Sequence, residues 1–114
     1  MSRASRTAAP RARTAAPLFA ALGDETRLRL LLRLSASGPE SIAQLSATAS
    51  VSRQAITKHL KVLSEAGLVR GRRLGREHIW QLQPKRLADA RDYLDQISRQ
   101  WDDALGRLKA FVED

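Results

Sequence analysis

Apolar positions keep helical spacing over most of this chain and switch to short strand-like runs only between residues 68 and 82. Pro17 sits well as a first helical residue, and Leu18, Phe19, Ala21 and Leu22 form a short apolar helix that Gly23 ends. Asp24 caps a second helix in which Leu28, Leu30, Leu31, Leu32 and Leu34 surround Arg29. So many leucines imply burial on most sides. Ser37-Gly38-Pro39 stops that helix, and Ser41 caps a short third one with Ile42 and Leu45 inward. A turn over residues 48–51 leads to Ser52, the cap of a helix whose Ile56, Leu60 and Leu63 make a buried stripe. Opposite that stripe stand Arg53, Gln54, Thr57, Lys58 and Lys61. Gly67 ends the helix in the left-handed conformation typical of a C-terminal cap. Leu68-Val69 opens a strand, Leu74-Gly75 turns it, and Ile79, Trp80 and Leu82 belong to the return strand.

The last element begins at Pro84. Leu87, Ala90, Leu94, Ile97, Trp101, Ala104, Leu108 and Phe111 follow at alternating steps of three and four. This heptad seam lasts about 28 residues, roughly 42 Å of helix. A chain of 114 residues has too few other helices to cover so long a stripe. Each large side chain left in water forgoes about 1.5–3 kcal/mol, so a second copy of the same helix is the expected cover. The competing expectation is a helix folded back wholly on its own domain.

Charge sharpens the picture. The formal net charge is +8 with a pI near 11.2, which favours a polyanionic partner. The positive charge is concentrated in two places. Arg3, Arg6, Arg11 and Arg13 lie in an acid-free stretch over residues 1–16, which has the composition of a disordered basic arm and, superficially, of a transit peptide. Arg53, Lys58, Lys61, Arg70, Arg72, Arg73 and Arg76 face only Glu65 and Glu77 over residues 52–78. The intervening segment is balanced and the last one slightly acidic. A polar, basic helix running into an arginine-tipped hairpin is the layout of a winged helix-turn-helix, with the helix in a DNA groove and the hairpin on the backbone. The absence of cysteine excludes disulfides and thiolate metal sites, and no apolar run reaches the length of a membrane span. A cytoplasmic protein is expected.

Two long motifs carry a family resemblance. Ala21-Leu22-Gly23-Asp24-Glu25-Thr26-Arg27-Leu28-Arg29-Leu30-Leu31 is similar to the opening signature of the ArsR/SmtB winged-helix repressors. Ser52-Arg53-Gln54-Ala55-Ile56-Thr57-Lys58-His59-Leu60-Lys61-Val62-Leu63-Ser64-Glu65-Ala66-Gly67-Leu68-Val69 is similar to their recognition-helix signature. Gly75-Arg76 followed by Trp80 resembles their wing, and the match runs from about Leu18 to the C-terminus. The resemblance implies a mostly α fold with a small β-hairpin, in a domain over residues 17–114 with a dimerisation helix at 84–112. It implies a homodimer on an inverted-repeat operator, acting as a repressor and often an autorepressor. It also implies that the first and last helices form the interface, through Leu18, Phe19, Leu22, Leu87, Leu94, Ile97, Trp101, Leu105 and Leu108. Where metal sensors of the family carry paired cysteines, this chain has Ser41-Ile42-Ala43-Gln44, and no histidine follows His78. No metal and no cofactor are therefore expected, and the sequence names no effector ligand.

The expected DNA-reading residues are Ser52, Arg53, Gln54, Thr57 and Lys58 at the bases. Arg53 suits the O6 and N7 of guanine, and Gln54 the N6 and N7 of adenine. Lys61 is placed for phosphate, with Arg72, Arg73 and Arg76 on the wing for the backbone or minor groove. His59 is expected to tuck against the core or meet a phosphate, and Trp80 to pack in the wing. Tyr93 and Trp101 read as dimer core, with a small apolar ligand in the seam as the rival use. No nucleophile and base can be assembled, so an enzyme is not expected. The remaining alternatives are a protein- or RNA-binding winged helix, disfavoured by the basic helix and few aromatics, and a non-specific nucleoid-associated protein.

Overall fold

The computed structural model describes residues 3–113, with side chains from residue 12 onward. Helix α1 (Arg3–Leu22) is followed by α2 (Glu25–Ser37), strand β1 (Glu40–Ser41), α3 (Ile42–Ala47) and α4 (Arg53–Glu65). Strands β2 (Val69–Leu74) and β3 (Glu77–Leu82) then lead to the long α5 (Pro84–Glu113). The architecture is a mostly helical winged helix-turn-helix with a small antiparallel sheet in the order β1-β3-β2. Strand β1 was not foreseen. Two residues are too few to display a period, and they pair only because Glu40 and Ser41 lie opposite Trp80 and Ile79.

Local chemistry sets the helix starts. Asp24 Oδ1 accepts the backbone N–H of Arg27 at 3.0 Å, which caps α2 and holds that carboxyl below its ordinary pKa. Ser41 and Gln44 form a reciprocal capping box at α3, and Ser52 Oγ accepts from Ala55 N at 3.1 Å at α4. Gly67, at φ +78°, closes α4, with Leu68 N donating to Leu63 O at 2.9 Å.

Two helices depart from the sequence reading. Helix α1 begins at Arg3, so Pro17 lies inside it and residues 3–16, expected as a disordered arm, are helical. Alanine is the strongest helix former and fills this stretch. Tertiary contact helps, because Ala15 is buried and Arg86 Nη2 donates to Thr14 O at 3.1 Å. Met1, Ser2 and the side chains of Arg3, Arg6 and Arg11 lie outside the described residues. Helix α2 buries Leu30, Leu31 and Leu34 but leaves Leu28 half-exposed and Leu32 70 % exposed. The domain is thin here, so only one side of α2 meets a neighbour.

The core joins Leu18, Leu34, Leu45, Ile56, Leu60, Leu63 and Leu68, each almost fully buried. Leu18 is thus a core residue and has no surface to offer a partner chain, contrary to its expected place in an interface. Its side chain is 1 % exposed and belongs to the chain's own core cluster. Phe19, Leu22 and Leu87 pack partly on the same core, and Phe19 meets Tyr93 of α5 with ring centroids 5.8 Å apart. Beyond Ile97 the situation changes. Trp101 is 64 % exposed and Phe111 81 % exposed, Leu105, Leu108 and Val112 are also open, and Leu94, one turn before Ile97, is half-exposed.

In the hairpin, Gly71 lies opposite Trp80, whose ring stacks on His78 with centroids 4.7 Å apart. A Cβ on Gly71 would stand 2.7 Å from His78 Nε2 and 2.8 Å from Trp80 Cζ3. Gly71→Ala should therefore cost about 1–3 kcal/mol, the usual penalty for overpacking, read as a lower urea midpoint at unchanged slope.

Candidate nucleic-acid interface

Helix α4 presents two different polar faces. Its apolar side, Ile56, Leu60 and Leu63, is fully committed to the core. Gln54, Lys58 and Lys61, at steps of four and three, face directly away from that core and are exposed. Arg53 and Thr57, also four apart, lie on the flank nearest the hairpin. Thr57 Oγ1 donates to Arg53 O at 3.0 Å, which engages the hydroxyl proton and leaves its lone pairs and methyl group outward.

The helix is held from beneath by the meeting of the two long motifs. Arg27 Nη1 donates to His59 Nδ1 at 3.2 Å, while Arg27 Nε donates to Ala21 O at 2.6 Å. Asp24 Oδ1 stands 3.9 Å from the same imidazole nitrogen. His59 is thus a tie between α4 and α2, one of the two roles expected of it. Sequence reasoning missed Arg33. Its Nε donates to Glu40 Oε2 at 2.7 Å, Nη2 to Gln44 O at 3.0 Å, and Nη1 to Thr48 Oγ1. This one side chain fastens the end of α2 to β1, α3 and the turn before α4. An arginine in a leucine-rich helix gave no signal of such a role.

Strand alternation sorts the wing arginines. Arg73 pairs with His78 and Gly71 with Trp80, while Arg72 pairs with Ile79 and Arg70 with Gln81. Trp80 is buried toward the helices, so Arg73 and His78 share its inward side, and Arg70 and Arg72 point the other way. Between that inward side and α4 lies a cleft of about 310 Å³, lined by Arg53, Thr57, Arg73, Arg76 and His78 among others. The structure therefore brings Arg53, Thr57, Arg73 and Arg76 together. It places Ser52, Gln54, Lys58 and Lys61 elsewhere on α4 and Arg72 on the far side of the wing. Among the described residues, none of the side chains of Arg53, Lys58, Lys61, Arg72, Arg73 and Arg76 joins an ion pair or hydrogen bond. An unneutralised cationic surface of this shape attracts a phosphate backbone.

At the position where metal sensors carry thiolates, Ser41 and Gln44 bind each other's backbone and Ile42 is apolar. These residues do not fit a metal, and no group of three His, Asp or Glu side chains among the described residues could hold one. No helix among them is long and apolar enough to cross a membrane.

An exposed, basic helix on its supporting helices beside a basic hairpin defines a winged helix-turn-helix DNA-binding protein. The family model for a helix-turn-helix domain matches residues 22–72. The HTH-type transcriptional regulator Rv2034 of Mycobacterium tuberculosis is 44 % identical over 77 residues, covering 68 % of this chain and 71 % of that protein. The arsenical resistance operon repressor of Escherichia coli is 35 % identical over 82 residues, covering 72 % and 70 %. An ArsR-like transcriptional regulator from Rhodococcus sp. RHA1 superposes with a TM-score of 0.74 at 36 % identity, over 87 % of this chain and 92 % of that one. The chain belongs to the ArsR/SmtB family of winged helix-turn-helix regulators, and it is a DNA-binding transcriptional regulator.

Proposed function

We propose that this regulator is a cytoplasmic homodimeric repressor that binds an inverted repeat upstream of its own operon and senses no metal by the family's usual sites. The observation that carries the DNA side of this reading is the set of unpaired cations on α4 and the wing. Ser52, Gln54, Thr57 and Lys58 are assigned to the major groove, and Lys61, Arg72, Arg73 and Arg76 to the backbone or the minor groove. Arg53, on the flank of α4 that faces the wing, is assigned to the backbone with Arg73 and Arg76. The pairing is carried by α5. Leu94, Ile97, Trp101, Leu105 and Leu108 continue one stripe whose outer half is not covered by any of the described residues, and Phe111 and Val112 extend it. Phe19, Leu22 and Leu87, partly covered already, are assigned to the same interface, and Phe19 meets α5 at Tyr93. A two-fold axis through two such stripes would also set two recognition helices at fixed separation.

The test is fluorescence-anisotropy binding to the DNA upstream of the gene, with a shuffled duplex and a salt series alongside. Binding should favour the native duplex by at least ~10³. Footprinting should then show half-sites about one helical turn, ~34–36 Å, apart. Equal and steeply salt-dependent binding to both duplexes would replace this reading with backbone attraction alone.

A further inference from the structure

We infer that the cleft between α4 and the inner side of the wing is a seat for one phosphate of the DNA backbone in each half-site, held jointly by Arg53, Arg73 and Arg76. This rests on the reading of the protein as a DNA-binding regulator and makes it more specific. Residue type alone placed Arg53 at a guanine edge and treated the wing arginines as equivalent. The geometry divides them differently.

Three arginines from two elements line one cleft of about 310 Å³ with a single acidic residue, Glu77, and among the described residues none of the three is paired with a protein acceptor. Three guanidinium groups lining one space with a single carboxylate leave an excess of positive charge, and an anion between them relieves their repulsion. Arg53 stands on the flank of α4 that looks toward the wing, one turn before Thr57, whose outward lone pairs and methyl group form the wall beside it. Arg73 reaches the same space because it alternates onto the side of the hairpin that carries His78 and Trp80. Arg72, one residue away, alternates out of it. The floor is rigid. Trp80 is only 7 % exposed and packs against Gly71, and its buried indole N–H has no hydrogen-bond partner among the described residues. A phosphate diester fits the charge and the space. Base reading then falls to Gln54 and Lys58, which face straight outward.

The experiment is a thermodynamic cycle between protein variants and duplexes in which single backbone phosphates are replaced by neutral methylphosphonates. At one position in each half-site the replacement should weaken wild-type binding roughly tenfold, the scale of one charge-assisted contact. The same replacement should have no effect on Arg73→Ala or Arg53→Ala, whereas Arg72→Ala should remain as sensitive as wild type. Arg53→Ala should also lose affinity equally on all operator variants. The seat is refuted if no phosphate couples to Arg73, if Arg72→Ala loses the coupling as well, or if Arg53→Ala relaxes the preference at one base pair.

A free-anion arm separates the source of the phosphate. Inorganic phosphate is added without DNA while the Trp80 indole N–H resonance is followed by NMR. Saturation at micromolar phosphate that vanishes in Arg73→Ala would assign the cleft to a free anion and overturn the backbone assignment. No saturation in the millimolar range is expected. If the native duplex is not preferred over the shuffled one, the regulator reading fails. The seat stands or falls separately, on whether any methylphosphonate position couples to Arg73 in the duplex that is bound.

Discussion

Trp101→Glu should convert the protein to a monomer at concentrations where the wild type is a dimer, and DNA binding should collapse with it. Trp101 lies near the middle of the α5 stripe and is 64 % exposed in a single chain, so glutamate costs the monomer fold almost nothing. In the proposed dimer the same position is central, flanked by Ile97, Ala104, Leu105 and Leu108. Central tryptophans are the side chains whose loss is most damaging to interfaces, at about 2 kcal/mol or more. Burying a carboxylate there adds further cost, so the dimer dissociation constant should rise at least ~100-fold. Sedimentation equilibrium reads that change directly, and circular dichroism should report unchanged helix content. Operator affinity should fall further than the loss of any one DNA contact, because each monomer can then hold only one half-site. A Trp101→Glu protein that stays dimeric would move the interface off this stripe.

Leu60→Ala should be strongly destabilising, unlike truncation of an exposed residue on the same helix. Leu60 is fully buried between α4 and the rest of the core, and replacing it removes its packing and leaves a cavity. Such changes cost about 2–5 kcal/mol, a large part of the roughly 5–15 kcal/mol that stabilises a domain of this size. Val62→Ala, two residues further along the same helix, is the control. Val62 is 39 % exposed, and its truncation should change stability by less than about 1 kcal/mol. Urea unfolding of both variants, with the dimer concentration held constant, checks the contrast. Similar losses from the two would mean that α4 is packed differently from the arrangement described above.

Most of the fold was legible because short-range rules govern it. The caps at Asp24, Ser41 and Ser52 need only a side chain within three residues of the amides it accepts, and Gly67 needs only its own φ. The stripe of Ile56, Leu60 and Leu63 follows from helical period alone. Elements that depend on distant partners were read less well. Strand β1 exists because β3 is beside it. Helix α1 runs back to Arg3 partly because Ala15 and Thr14 find α5. Leu28 and Leu32 look like core in sequence, yet among the described residues nothing buries that side of α2. Leu18 looked like interface, and its own domain had already covered it.

The candidate site divides along the same line. Which residues are cationic, which helix and hairpin bear them, and which family signature they spell are properties of residue type and spacing, and the sequence alone determined them. The tertiary structure decided which cations share one space. Arg72 and Arg73 are adjacent in the chain but fall on opposite sides of the wing, because strand side chains alternate and Trp80 chooses the inward side. Arg53 and Arg73 are twenty residues apart in numbering and line one cleft, because the hairpin folds back beside α4. Charge is a property of a residue, whereas a binding site requires charges held at a common point, and only the packing of one element against another supplies that.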